Sequence, residues 1–120
     1  VTICITARGE GLDAEVDPHF GRAAYFLFID PETLEVEVVR NLPEAHGAGV
    51  KAAQTVAEKK ASAVITGSVG PNAHQGLSAA GIEIYTGATG TVKEALEDYH
   101  AGRLSRTEGP TGARHRGGRT

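Results

Sequence analysis

The chain has 120 residues, 40% of them apolar and 22% charged, with a formal net charge of −3, which suits one ordinary globular core. Its single cysteine excludes an internal disulfide framework, and no apolar run approaches the ~20 residues of a membrane-spanning helix. With no basic-then-apolar leader ahead of Val1, a cytoplasmic location is expected.

Val1 to Ala7 is rich in β-branched residues and reads as a strand. A polar loop with three glycines and a proline follows, from Arg8 to Arg22. Ala23 to Ile29 is almost continuously apolar, as in a strand covered on both faces. Asp30 to Thr33 has the composition of a turn. Leu34 to Arg40 alternates, which predicts a strand with one face in water, at a sheet edge. Asn41 to Gly49 is a loop, and the spacing of Val50, Ala53, Val56 and Ala57 predicts a helix to Lys60.

Ala63 to Thr66 is a short buried strand, followed by the glycine-rich GSVGPNAH. Pro71 suits the first turn of a helix whose face is Ala73, Leu77 and Ala80, with Gly81 ending it. Ile82 to Tyr85 is the next strand. Thr91 and Glu94 form a capping box for a last helix lined by Val92, Ala95, Leu96 and Tyr99, and Gly102 closes it. From 103 onward, five arginines face Glu108 alone and apolar residues are nearly absent. The expected division is therefore a domain over 1–104 and a basic, disordered tail over 105–120. No aromatic residues interleave those charges, so nucleic acid is not the expected partner.

The order βββαβαβα predicts a five-stranded mixed sheet with helices packed on it and the first strand central. Strands one, three, four and five then point the same way, so the loops that follow them share one end of the sheet. Ligands of open α/β sheets bind at that end. His19, His46 and His74 belong to those loops, as do Gly21, Gly47, Gly49, Gly67, Gly70, Gly87 and Gly90. Three helices also begin there, near Gly49, Pro71 and Thr91, and each offers unpaired N–H groups and the positive end of a dipole. An anion carrying a soft metal fits this set better than Mg²⁺ or Ca²⁺, which want clustered carboxylates.

His19 leads the candidates, because Pro18 and Gly21 on either side would fix its direction. Phe20 is expected as a core plug at the edge of the site. Arg22 either pairs with Asp17 or faces an anion, and Asn72 lies at the helix start. His46 and His74 are either ligands or plain loop residues, and Cys4 is expected in the core. His100 and His115 fall outside the set. No Walker A, CxxC, HExxH or GxSxG stretch occurs.

Four stretches, HFGRAAYFLFID, GAGVKAAQTV, AVITGSVGPNAHQGLSAAGIEIY and VKEALEDYHAGRL, carry a resemblance to the dinitrogenase iron–molybdenum cofactor biosynthesis family. That family includes NifX- and NifY-like proteins and the C-terminal part of NifB. The resemblance covers about residues 1–104, and HFGRA before an aromatic strand is its most specific part. It implies a ribonuclease H-like α/β domain linked to nitrogen fixation or a related process. It also implies a non-catalytic carrier of a metal–sulfur cluster (Mo/Fe or Mo/Cu), with donor and acceptor proteins as partners. His19 matches the family's HFG histidine, the implied metal contact. Two other function classes stay open: a protein-interaction module using the edge strand, and an enzyme acting on a phosphorylated small molecule at the same loops.

Overall fold

Five successive side chains of Ile3–Ala7 are buried, which a central strand covered on both faces allows. This is β1. The computed structural model describes residues 2–41 and 48–107. Tyr25–Ile29 (β2) pairs antiparallel with β1, placing Ile3 opposite Ile29 and Ala7 opposite Tyr25. Val36–Arg40 (β3) pairs antiparallel with β2 and forms one edge, as its alternation predicted. Ala48–Glu58 is α1, and Ala63–Ile65 (β4) returns parallel to β1. Pro71–Ala79 is α2, and Glu83–Thr86 (β5) lies parallel to β4. Val92–His100 is α3. None of the described helices is long and apolar enough to cross a membrane.

Side chains alternate between the two faces of a strand, and each face here has its own core. Cys4, Phe26, Phe28, Val64 and Ile84 meet α1 and α2 through Val56, Ala73 and Leu77. Ile3, Ile5, Leu27, Ile29 and Ile65 meet α3 through Val92, Ala95 and Leu96. The result is a layered α/β/α arrangement. Cys4 is fully buried, and lack of solvation for a thiolate pushes its pKa up. Small residues let α1 and α2 approach closely: a Cβ on Gly76 would lie 3.0 Å from that of Ala53.

The expectation of five strands is corrected. Among the described residues the sheet has six, in the order β3-β2-β1-β4-β5-β6, because Ser105–Arg106 (β6) adds antiparallel to β5. Both of its residues are exposed, so no hydrophobic pattern marks it. It forms through backbone groups that the edge of β5 would otherwise leave unpaired. The Thr107 amide donates to the Ile84 carbonyl (2.7 Å), and the hydroxyls of Thr86 and Thr107 are bonded. Leu104 packs against the α3-side core just before it. β6 thus falls past the boundary expected at residue 104, and residues 108–120 of the expected tail lie outside the described residues.

Candidate functional site

The β1–β2 connection ends in Asp17-Pro18-His19-Phe20-Gly21-Arg22, and its backbone is held from three sides. From below, the Asp17 amide donates to the Thr6 carbonyl (2.9 Å), and the Thr6 hydroxyl donates to the Asp17 carbonyl (2.8 Å). From the β4–α2 loop, the Ser68 hydroxyl donates to the Pro18 carbonyl (3.0 Å), and the Ser68 carbonyl accepts from the Phe20 amide (3.2 Å). From the end of β3, the Asn41 side-chain amide donates to the carbonyls of Gly21 (3.2 Å) and Ala23 (2.8 Å). Phe20 is buried and its ring lies 5.6 Å from that of Phe26, so it plugs the core as expected. A buried ring anchors the loop while the residues on either side of it stay accessible.

Those residues border a cleft of about 310 Å³ between this loop and the start of α2. His19, Phe20, Gly21, Arg22, Gly49, Gly70 and Asn72 line it, together with Ser68, Pro71 and Ala73. Gly70 is the N-cap of α2 and supplies no side-chain cap, and Pro71 follows it without an N–H. The cleft lining contains two groups that can carry positive charge, His19 and Arg22, and no carboxylate. Arg22 does not pair with Asp17. The Asp17 carboxylate instead accepts from the amides of His19 and Ala24, each at 3.2 Å, and Arg22 is exposed with no ion pair among the described residues.

Other expected site residues lie elsewhere. His74 lines a separate hollow of about 250 Å³ with Ser78, Glu83, Arg106 and Thr107. Gly67 supports the site from beneath, where a Cβ would come within 2.6 Å of the Pro18 backbone. Gly87 donates its amide to the Gly67 carbonyl (2.9 Å) and does not line the cleft. Gly90 serves α3: a Cβ there would lie 2.2 Å from Glu94 Oε1, in the way of the capping box. His46 and Gly47 lie outside the described residues.

The expected convergence of three helix starts is also corrected, because that of α3 is sealed. The Thr91 amide donates to the Glu94 carboxylate, and the Glu94 amide to the Thr91 hydroxyl. The Val92 and Lys93 amides donate to the carbonyls of Ala14 (2.8 Å) and Leu12 (2.9 Å). All four donors that a helix leaves free at its start are therefore occupied. The capping box closes two of them locally, and the other two are closed by tertiary contact, because the first half of the β1–β2 connection folds over α3.

A larger hollow, of about 570 Å³, lies against Thr2, Phe28, Val36 and Lys59. Asp30, Glu35 and Glu37 line it, and Lys59 is already paired with Glu37, so an anion would meet net negative charge there. Chemistry favours the smaller cleft. Among the described residues, no three His, Cys, Asp or Glu side chains gather so as to hold a metal ion.

Comparison with known proteins agrees with this fold. The family model described as dinitrogenase iron-molybdenum cofactor matches residues 1–102. The apo form of the orange protein from Desulfovibrio gigas superposes with a TM-score of 0.87 and 42% identity, over 92% of this chain and 96% of that one. A NifB-like protein from Thermotoga gives 0.79 and 38%, over 92% and 98% of the two chains. A protein of Methanocaldococcus jannaschii is 29% identical over 98 residues, which is 78% of this chain and 83% of the relative.

Proposed function

The chain belongs to the dinitrogenase iron-molybdenum cofactor family, and from that premise we propose that it is a non-catalytic carrier of an anionic metal–sulfur cluster. The observation that carries the reading is the lining of the His19 cleft. It sets an imidazole, a guanidinium and the Asn72 amide beside a helix start without a side-chain cap, and includes no carboxylate or thiol. Such a lining suits a preassembled anion that brings its own metal and sulfide. It does not suit a bare cation, which needs several protein ligands. In this reading His19 contacts the cluster directly, and Arg22 and Asn72 face its outer sulfides.

Donor and acceptor proteins are part of the proposal. Among the described residues the outer edge of β3 carries no neighbouring strand, and Val38 on it and Leu34 just before it are 39% and 48% exposed, which supports docking there. Glu35 and Glu37 on the same edge discourage unselective pairing. We read β3-β2-β1-β4-β5 as a ribonuclease H-like layout to which β6 is added.

The test is uptake by the full chain, purified without oxygen. Tetrathiomolybdate is the probe, added with and without cuprous or ferrous ion, and retention of its visible absorption after desalting is the readout. The wild type is expected to retain it. His19→Ala is expected to weaken retention about tenfold, or about 1.4 kcal/mol. Equal retention by the two would remove His19 from the site, and no retention under any condition would overturn the carrier reading.

A further inference from the structure

A carboxylate two residues from the proposed ligand contact is a poor choice for an anion site unless it does something else. Asp17 does not line the cleft. Its Oδ1 accepts the His19 amide and its Oδ2 accepts the Ala24 amide, each at 3.2 Å, so one side chain ties together the two ends of the segment that carries His19, Phe20, Gly21 and Arg22. Asp17 is itself fixed from below. Its amide and carbonyl are both bonded to Thr6, whose hydroxyl lies 2.8 Å from that of Thr66, and both threonines are fully buried. A buried hydroxyl pair of this kind is costly to separate, so it holds its neighbours in one arrangement.

We infer that Asp17 is the positioning residue of the cleft: its two carboxylate oxygens hold the His19 segment in its binding shape before a ligand arrives. The affinity part of this inference rests on the anionic-cluster reading, whereas the loop-ordering part does not. Prior ordering matters because a loop that must become ordered on binding loses affinity by the cost of that ordering.

The two possible roles of the Asp17 charge predict opposite signs. If the charge acted on the ligand through space, Asp17→Asn would remove a repulsion and tighten anion binding. If Asp17 acts by positioning, Asp17→Asn weakens it, because the new amide group can accept only one of the two N–H bonds and presents a donor to the other.

The experiment uses the full chain as wild type, Asp17→Asn and Asp17→Ala. It combines a tetrathiomolybdate titration with residue-resolved amide hydrogen exchange in the absence of ligand. Expected is at least fivefold weaker binding for Asp17→Asn and a larger loss for Asp17→Ala. The His19 and Ala24 amides should exchange at least tenfold faster, while the Asp17 amide, bonded to Thr6, keeps its protection. Equal or tighter binding by Asp17→Asn would overturn the inference, as would unchanged exchange at His19 and Ala24. If the wild type binds no tetrathiomolybdate, the carrier reading fails, and the exchange arm alone decides whether Asp17 orders the loop.

Discussion

Pro18 rests directly on Gly67: a Cβ at Gly67 would lie 2.6 Å from both the Cα and the carbonyl oxygen of Pro18. Backbone therefore meets backbone where the β1–β2 connection crosses the end of β4. Gly67→Ala is expected to force the two apart at a cost of about 1–3 kcal/mol. A lower urea midpoint with unchanged slope would show it, and an unchanged midpoint would mean that the two segments part freely.

Phe20 and His19 are neighbours with opposite consequences. Phe20→Ala empties a buried position against Phe26 and is expected to cost about 3–5 kcal/mol. His19→Ala removes an exposed side chain and is expected to stay within about 0.5 kcal/mol of wild type. Denaturant unfolding of both variants checks this. A large loss at His19 would assign that residue to the fold.

The sealed start of α3 gives a third expectation. Thr91→Ala breaks the capping box and should cost about 1 kcal/mol. It should leave tetrathiomolybdate binding unchanged, because the α3 amides are bonded to Leu12 and Ala14 on the opposite face of the sheet. Weaker binding by this variant, with the fold intact, would return α3 to the site.

Cys4 supplies a pH dependence. Burial raises its thiol pKa above the ordinary value of 9.0, so the folded chain keeps the proton where the unfolded chain has lost it. Its contribution is complete below the unfolded pKa and declines as pH rises beyond it, by at most about 1.4 kcal/mol per pH unit. Urea midpoints at about pH 8 and about pH 10 should fall more for wild type than for Cys4→Ala. Equal falls would mean that the thiol ionises in place.

Much of this architecture was legible because local chemistry matched tertiary need. The β-branched run at Ile3–Ala7, the Thr91–Glu94 box and Pro71 at the start of α2 each formed the element that their residue types favour. β6 escaped because Ser105 and Arg106 bury nothing, and a pairing made only of backbone leaves no side-chain signature. The site was legible in part. His19, Arg22 and Asn72 meet in one cleft, but the direction of His74 and the sealing of α3 depend on how separate segments pack. Asp17 and Asn41 were missed as loop supports, because their partners are main-chain groups and no residue pattern marks them.

The β1–β2 connection also changes sides. Val16 is buried in the core beneath α3, whereas Phe20 is buried in the core beneath α1 and α2. Between them the chain straddles the rim of the sheet like a saddle, with short bridges from Ala7 to Val16, from Glu15 to Thr91 and from His19 to Ser68. The short span from Val16 to Phe20 thus joins the cover of α3 to the wall of the cleft around the rim, without passing through the sheet.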